Sequence, residues 1–448
     1  MRKKGESLKV LSSTASGVVI PYSMMDVQAA LSRQGHQVYV QDIASMSSLH
    51  EGMIAILDGL VNVKPDVLFT IDRVALLPNL VAVLENPPQA VSWFFDDPFA
   101  FINDDYLHIN SHYHIFCWDR AYVPRLKEKG FRHVEYQPFA TNPLIYRPDD
   151  RGGTEYDVSF VGTASEKRIR MLKQLAGAGI RVDLFGDDGL RRVGHPNAVY
   201  HGMASNREDC PRIYSRSKIN LNITNEQLIT SLPVRVFDVL ACGGFLLTDA
   251  QQDASELFRP GEELAVYSDP GDLAAKVRYY LEHENERNRI RQAGRAKVLE
   301  QFTFDAIVPR MLDSAFEIPA DLSVNKPLDP MKLAHSLWLA GLSYLKFGCY
   351  REAYARLTDT LNLCRKDEQA LRAVAVLANH LGQCDTVTTC MDQLESIGSS
   401  WAARRAELLD CTRRGEKVRW WDDLYRGLFP DVRLRADGTV NGWEPVPL

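Results

Sequence analysis

The sequence lacks the features that mark several classes of protein. It has 52 Lys and Arg against 58 Asp and Glu, a formal net charge of -6, so it has no basic excess for binding nucleic acid or an anionic membrane. It also has no apolar run long enough to span a bilayer, and residues 8–11 form a run too short for a signal sequence. We expect neither a nucleic-acid partner nor a membrane span.

Paired cysteines are also missing. The eight cysteines occur singly, without the C-x-x-C pairs that bind zinc or perform thiol redox chemistry. Scattered single thiols are typical of a reducing compartment, so we expect a cytosolic protein. The chain is long: 448 residues with 45% hydrophobic content are enough for two or three domains with separate cores.

The first third of the chain alternates short apolar runs with amphipathic stretches. Such alternation is typical of β-α-β units with a parallel sheet, whose ligands meet the carboxyl ends of the strands. The pattern predicts an α/β, Rossmann-like domain over residues 1–148. The predicted strands are 8–11, 37–40, 66–70, 90–95 and 114–117, with helices near 25–34 and 52–60.

A linker rich in proline, glycine and charge follows at residues 142–153 and indicates a domain boundary. The alternation then restarts and predicts a second Rossmann-like domain over residues 149–318. Its predicted strands are 156–161, 182–185, 219–223 and 245–247, and its predicted helices are 166–177, 207–216, 233–241 and 271–283.

From Pro330 onward the pattern is helical. Small and aromatic residues match a tetratricopeptide unit, and a second copy follows 34 residues later, from Gly348 to Gly382. We expect a tetratricopeptide-like all-α domain over residues 330–415 and an aromatic-rich tail over residues 416–448 that packs on it. The matching positions are Gly341, Tyr344, Gly348, Tyr350, Ala353 and Leu357, then Gly382, Val387 and Met391.

A glycine at the end of a predicted strand, Gly162, stands with Thr163 just before a helix whose first turn carries Lys167 and Arg168. A helix N-terminus carries about half a positive charge, so this place suits a diphosphate. The alternative is a solvated first turn after an ordinary βα loop.

Residues 231–249 read as a loop, a short helix, a Gly-Gly turn and a strand. Helical spacing puts Arg235 and Asp238 on one side, where a carboxylate can bind a ribose diol and a guanidinium a phosphate. The alternative is an exposed ion pair, with the glycines serving only to end the helix. The candidate nucleotide-sugar ligands in this segment are Ser231, Pro233, Arg235, Asp238 and Gly243.

Two acidic residues, Asp96 and Asp97, end a predicted strand of the first domain. We predict Asp97 as a general base for an acceptor hydroxyl, against the alternative that Asp-Asp-Pro only shapes a turn. The pair is not a D-x-D metal motif, so we expect no metal requirement. His108, His112 and His114 form a weak metal candidate, because no acidic or cysteine partner completes it at ligand spacing.

Dispersed segments over residues 1–317 resemble the CgeB-like (spore maturation protein) glycosyltransferases, which are similar to enzymes of the GT-B architecture. The segments that carry this resemblance are Lys64-Pro-Asp66, Ser92 to Pro98, Trp118 to Tyr122, Ile219 to Ile223, Arg235 to Asp238, Leu246 to Asp249, Glu256 to Phe258, Pro260 to Glu263 and Tyr279 to Leu281.

The resemblance implies that the C-terminal Rossmann-like domain binds a nucleotide sugar while the N-terminal domain presents the acceptor. Residues 303–318 would form the helix that crosses back between them. Asp238 takes the place of the ribose-binding acidic residue, usually glutamate in related enzymes. The further nucleotide-sugar ligands implied are Gly186, Tyr200, Gly202, Met203 and Asn222.

The resulting hypothesis is a glycosyltransferase that moves a sugar from a nucleoside diphosphate sugar, with a UDP-sugar favoured, to an acceptor hydroxyl. Arg168 and Arg235 would stabilise the departing diphosphate. No cofactor is expected. The helical extension suggests a protein acceptor, such as a surface or flagellar protein, or else a homodimer contact or a cap on the GT-B core. Two other hypotheses remain: a non-catalytic nucleotide-sugar-binding scaffold that recruits partners, and a nucleotide-sugar epimerase.

Overall fold

The computed structural model describes residues 6–13, 20–41, 49–71, 83–100, 113–149, 152–226, 228–317 and 330–418. These residues form two six-stranded parallel sheets flanked by helices, followed by a helical region. The predicted α/β class with a C-terminal all-α part is therefore confirmed.

The first sheet has the strand order β2-β1-β3-β4-β5-β6. Its central strands read as nearly continuous apolar runs because helices cover both faces of a parallel sheet, and every residue of β3 and β5 is buried. The strands are β1 (Lys9–Ser13), β2 (Gln37–Gln41), β3 (Val67–Ile71), β4 (Gln89–Phe94), β5 (Tyr113–Cys117) and β6 (Val134–Tyr136). The helices between them are α1 (Ile20–Arg33), α2 (Leu49–Val63) and α3 (Tyr122–Glu128).

The second sheet has the order β12-β11-β10-β7-β8-β9, so its first strand β7 lies between its second strand β8 and its fourth strand β10. This is the doubly wound Rossmann order, which reverses direction between β7 and β10 and opens a crevice at their carboxyl ends. The strands are β7 (Tyr156–Val161), β8 (Val182–Phe185), β9 (Ala198–Tyr200), β10 (Ser217–Asn222), β11 (Leu246–Asp249) and β12 (Ala265–Tyr267).

Local capping sets where the helices of this second domain begin. The Ser165 hydroxyl accepts the N–H of Arg168 at the start of α4, and the Asp269 carboxylate accepts the N–H groups of Gly271 and Asp272 at the start of α8. The helices are α4 (Glu166–Gly177), α5 (Asp209–Arg216), α6 (Val234–Ala241), α7 (Gln252–Glu256), α8 (Pro270–Glu282) and α9 (Glu284–Gln301).

Helix α10 (Phe304–Glu317) returns from the second domain to the first. It packs against α1, and Arg33 of α1 makes a bidentate ion pair with Asp305 at 2.9 Å. An isolated bridge between Thr141 and Thr303 joins the linker to the start of this helix. The chain therefore passes between the domains twice, close to the same point.

The C-terminal region consists of α11 (Pro330–Lys346), α12 (Tyr350–Leu363), α13 (Glu368–His380), α14 (Cys384–Ser396) and α15 (Arg405–Arg413). The turns before α12 and α14 contain Gly348 and Gly382, both in the left-handed region. Helix α11 packs on α2 of the first domain, where the buried Asp58 accepts the Ser343 hydroxyl at 2.8 Å and pairs with Lys346. Residues 419–448, most of the predicted aromatic tail, lie outside the described residues.

Candidate active site between the two sheets

A cleft of about 350 Å³ lies between the two sheets. The carboxyl ends of strands from both sheets meet there, because the loops that follow β4 and β5 face the loops that follow β7 and β8. The cleft therefore includes the crevice that the doubly wound order opens between β7 and β10. The sequence-predicted residues that line it are Gly162, Thr163, Arg168, Gly186, Met203, Pro233, Arg235 and Asp238.

Two glycine backbones form one wall of this cleft. A Cβ on Gly186 would lie 1.9 Å from the carbonyl oxygen of Gly162, and a Cβ on Gly162 would lie 2.7 Å from a guanidinium nitrogen of Arg235. Only glycine fits at position 186, because its short contact is with backbone, whereas a side chain at position 162 would displace the guanidinium of Arg235. The two loops therefore pack directly against each other and against Arg235, and both glycines line the cleft.

Arg235 stands beside these glycines, in the first turn of α6. Its Nη1 donates to the Oδ1 of Asn222 at 2.9 Å, and its guanidinium lies 5.6 Å from the ring centroid of Phe160. Asn222 is itself fully buried and donates to the hydroxyls of Thr224 and Thr248. Asn222 therefore positions the guanidinium without lining the cleft, and Arg235 keeps its remaining donors for a ligand.

Arg168 has a different role from Arg235. It is buried and donates to the carbonyl oxygens of Ile223 and Thr163 and to the Thr163 hydroxyl, at 2.9 to 3.0 Å. Burial, together with the charge of Arg235, lowers the pKa of Arg168 to about 10. These bonds tie the loop after β7 to the loop after β10, so Arg168 shapes the wall as well as charging it.

Lys167 does not line the cleft. Its Nζ donates to the Thr224 carbonyl oxygen and pairs with Asp249, both at 2.9 Å. The Tyr200 hydroxyl donates to the Gly186 carbonyl oxygen at 2.9 Å. Lys167 and Tyr200 both support loops that reach the cleft.

Two glycines and a methionine from the predicted set occupy different places. The carbonyl oxygen of Gly202 accepts the N–H of Gly186 at 2.8 Å, and the exposed Met203 lies at the rim of the cleft. Gly243 follows the last turn of α6 and lines a separate cavity, about one helix length, roughly 12 Å, from Arg235. The structure therefore gives Gly243 no contact with the cleft, and its positive φ ends the helix.

Asp238 lies one turn beyond Arg235 on α6 and is buried in the wall of the cleft. Its Oδ1 accepts the Thr141 hydroxyl at 2.7 Å. Burial raises the pKa of Asp238 well above its usual range, and the nearby Asp26 acts in the same direction. The exposed Asp238–Arg235 ion pair considered above as an alternative does not fit this burial.

Asp26, on α1, is a cleft residue that sequence reasoning missed. Its Oδ1 accepts the amide of Asn142 at 2.6 Å and a guanidinium nitrogen of Arg207 at 2.9 Å. Burial raises the pKa of Asp26 against the opposing effects of those two partners. Because Arg207 belongs to the second domain, the contact joins the two sides of the cleft; a lone acidic residue in an amphipathic helix gave no signal for it.

The predicted base and its neighbour are separated by the structure. Asp97 does not line the cleft, and its Oδ1 accepts the N–H of Phe99 at 2.9 Å at a single 3₁₀ turn. Asp96 does line the cleft, and its backbone carbonyl oxygen accepts the indole N–H of Trp118 at 3.2 Å. The bond made by Asp97 is the one expected of a turn-shaping residue.

A second carboxylate of the first domain holds a loop of the second. Asp119, fully buried, accepts the N–H groups of Ile229, Thr230 and Ser231 and the Thr230 hydroxyl, at 2.5 to 3.3 Å. Burial alone would raise the pKa of Asp119, but the bonds from Thr230 and from backbone N–H groups outweigh it and lower that pKa. This loop leads directly to Pro233 and the start of α6.

Ser231 lies at the end of the same loop. Its hydroxyl is buried and has no hydrogen-bond partner among the described residues. A buried hydroxyl without a partner is uncommon and costly, and Ser231 does not line the cleft, so the structure does not place this predicted ligand at the site.

His114 is not placed to bind a metal. It is buried in β5, and its Nε2 lies 2.8 Å from the Glu135 carboxylate. Within the described ranges, no group of three or more His, Cys, Asp or Glu side chains is arranged to hold a metal ion. His108 and His112 lie outside those ranges.

The comparisons with known proteins concern the family and the fold. Residues 167–313 match the family described as glycosyl transferase-like (Glyco_trans_1_2). The chain has a glycosyltransferase-like domain. The match covers most of the second sheet, α4 to α9 and nearly all of the returning helix α10, and includes both Arg235 and Asp238.

Two curated relatives match part of the chain at low sequence identity. An uncharacterized protein of Aquifex aeolicus (strain VF5) is 26% identical over 229 residues, 50% of this chain and 52% of that protein. The spore protein CgeB of Bacillus subtilis (strain 168) is 22% identical over 207 residues, 41% of this chain and 62% of that protein. The match spans about half the length of the first relative and under two thirds of the second.

Solved structures establish the fold as GT-B. A glycosyltransferase from Rickettsia africae ESF-5 matches with a TM-score of 0.54 and 12% identity, over 69% of this chain and 98% of its own. Anabaena Alr3699/HepE, solved with UDP-glucose, matches with a TM-score of 0.52 and 12% identity, over 69% of this chain and 100% of its own. Sucrose-phosphate synthase of Thermosynechococcus elongatus matches with a TM-score of 0.51 and 13% identity, over 70% of this chain and 99% of its own.

Of the described helices, none is long and apolar enough to cross a membrane.

Proposed function

We propose that this protein transfers a sugar from a nucleoside diphosphate sugar, most simply a UDP-sugar, to an acceptor hydroxyl. The observation that carries the proposal is the wall of the cleft, where the bare backbone of Gly162 and Gly186 stands beside the guanidinium of Arg235. Negative charge builds on the leaving diphosphate as the bond to the sugar breaks. A fixed cation at that place stabilises the transition state more than the ground state.

The rest of the donor has matching surfaces. The carboxyl group of Asp238 lines the cleft one turn beyond Arg235 on α6, which supports a contact with the ribose diol, and the resemblance assigns the same residue to that contact. The loop that carries Gly202 and Met203, with Tyr200 beneath it, lies next to Gly186 and offers a surface for the base. The HepE structure holds UDP-glucose, which supports trying this donor first.

The acceptor would enter from the first domain. Its oxygen forms a bond to the anomeric carbon while the bond from that carbon to the diphosphate oxygen breaks, and its proton passes to a carboxylate. The prediction from sequence is Asp97, and the cleft lining favours its neighbour Asp96 for this role. We propose Asp96 as the base and keep Asp97 as the direct comparison.

We also propose that the acceptor is carried by a protein. The helical region is anchored on the acceptor side of the molecule, since α11 packs on α2 through Asp58, Ser343 and Lys346. A protein that binds these helices would therefore be held beside the first domain rather than the donor domain.

The proposal is tested by incubating the purified protein with UDP-, GDP- and dTDP-sugars and following nucleotide release with and without acceptors. Release that depends on an acceptor and on Arg235 supports transfer. Release of an isomerised sugar nucleotide without acceptor indicates an epimerase instead, and binding without turnover indicates a scaffold. Removing residues 330–448 tests the acceptor: loss of transfer to proteins, with nucleotide binding retained, is the expected result.

A further inference from the structure

A second cavity, of about 420 Å³, opens at the opposite edge of the second sheet, where β7, β10 and β11 begin. It is lined by the interdomain linker at residues 148–149 and 152–154, by the ends of α5 and α6, and by α9. No part of it belongs to the cleft described above, because the two cavities have no lining residue in common. The proposed transfer reaction does not use it.

The charge of this cavity is strongly one-sided. Its described lining includes Arg216, Arg291 and Arg295, against the single carboxylate of Asp149. Asp149 is engaged by Arg216, with 2.8 Å between the Oδ2 and Nε atoms. Neither Arg291 nor Arg295 has an acidic partner within 4.0 Å among the residues that the structure describes.

The two unpaired arginines are held in place at the end of α6. Arg291 donates its Nη1 to the Gly243 carbonyl oxygen at 3.1 Å, and Arg295 donates its Nε to the Ala241 carbonyl oxygen at 3.0 Å. The Nε of Arg291 is buried and has no hydrogen-bond partner among the described residues. A buried N–H group without an acceptor is costly, so the guanidinium of Arg291 is not fully satisfied within the described residues.

We propose that this cavity binds a small oxyanion with at least two negative charges, such as phosphate, diphosphate or the phosphate group of a small metabolite. The planar forks of Arg291 and Arg295 suit the oxygens of such an anion, because neither guanidinium has an acidic partner among the described residues and each makes a hydrogen bond to only one backbone carbonyl oxygen. The amide of Gln292 and the hydroxyl of Thr154 line the same cavity. A bound anion would touch both the linker between the domains and α9, the helix that precedes the returning helix α10.

The test measures the binding of inorganic phosphate and of inorganic diphosphate by calorimetry to the full chain and three variants. Gln292→Glu is isosteric, exposed, and puts a negative charge beside the two arginines; it should weaken binding about tenfold or more. Asn285→Asp, an exposed change of the same charge on the same helix, should bind as the wild-type protein does. Arg235→Ala, in the cleft, should keep this binding event as well.

Comparing the two anions shows whether the natural ligand carries a diphosphate or a single phosphate group. In Arg235→Ala, whose cleft lacks the guanidinium proposed to bind the donor diphosphate, tighter binding of diphosphate than of phosphate points to a diphosphate ligand for this cavity, and equal binding points to a single phosphate group. The proposal is overturned if neither anion binds, if Gln292→Glu binds as tightly as Asn285→Asp, or if Arg235→Ala alone abolishes the signal. Thr154→Asp, at a second exposed lining position, repeats the test should Gln292→Glu not fold.

Discussion

The two faces of the cleft are built in different ways. The face from the second domain presents the backbone of Gly162 and Gly186, which follow strand ends, and the guanidinium of Arg235, which lies in the first turn of α6. The face from the first domain is carboxylate and aromatic ring, with Asp26, Asp96 and Trp118 carried by α1 and the loops after β4 and β5. A preorganised cationic face suits a constant ligand, the diphosphate, whereas an acidic and aromatic face suits a hydroxylated acceptor.

The first domain also holds the second in place. Asp119 binds three backbone N–H groups of the loop that leads to α6, and Asp253 of the second domain accepts the Tyr136 hydroxyl at 2.5 Å and the Arg120 Nε–H at 2.8 Å. The donor face therefore depends on buried carboxylates at the domain boundary.

The largest expected effect separates Asp96 from Asp97 on the acceptor face. Asp96→Asn should lower kcat by about 10²- to 10⁴-fold, because the acceptor hydroxyl loses the base that takes its proton. Asp97→Asn keeps an oxygen that can accept the N–H of Phe99 and should lower kcat far less. Steady-state transfer rates of the two variants decide the assignment. A larger loss in Asp97→Asn would restore the residue predicted from sequence.

On the donor face, Arg235→Ala should lower kcat by about 10²- to 10³-fold, because the leaving diphosphate loses its fixed cation. Single-turnover rates with saturating donor separate this effect from weaker binding. Arg170→Ala, on the exposed side of α4, is the matched control and should leave the rate unchanged. Equal rates in the two variants would remove Arg235 from the reaction.

A smaller effect is expected at the domain boundary. Asp119→Ala leaves buried N–H groups without an acceptor and should lower the free energy of unfolding by about 1–3 kcal/mol. Since the pKa of Asp119 is lowered in the folded protein, its stabilising contribution is present above the unfolded pKa of about 3.9 and is lost as the pH falls further. Urea unfolding of the variant and of the wild type, at pH 7 and at pH 3, measures the loss of stability and its dependence on pH. A difference between variant and wild type that does not shrink at pH 3 would contradict this account.

The smallest effect concerns Asp238. Because its pKa is raised in the folded protein, wild-type stability should fall as the pH rises above the unfolded pKa, and Asp238→Asn should flatten that slope. The same variant should bind the donor more weakly, by about tenfold, through loss of one ribose contact. Thermal unfolding from pH 4 to pH 8 and donor titration give the two readings. A variant whose stability falls with pH as steeply as the wild type would show that Asp238 is not the titrating group.

Much of the fold follows from local sequence patterns. The predicted strands at 156–161 and 182–185 match β7 and β8, and the predicted crossing helix at 303–318 matches α10 to within a residue at each end. The short strands β6, β9 and β12 were missed because three residues are too few to show a period, and they form only by pairing with a neighbour already in the sheet.

The sequence predicts the cleft residues of the second domain better than the contacts that the first domain makes. Gly162, Arg235 and Asp238 lie within motifs of the second domain, so their spacing predicts a place at the cleft, and they line it. Asp26 and Asp119 contact partners more than 100 residues away along the chain, and no local pattern encodes those contacts. Lys167 and Gly243 were predicted from the same motifs as the cleft residues, but an ion pair with Asp249 and a helix end take them elsewhere.

The most direct test of the central claim is a crystal structure of the protein soaked with UDP-glucose or, if titration prefers it, another nucleotide sugar. The account predicts the diphosphate beside Arg235 and the backbone of Gly162 and Gly186, with the ribose hydroxyls against Asp238. A nucleotide bound away from these residues, or an empty cleft at ligand concentrations that saturate turnover, would contradict it.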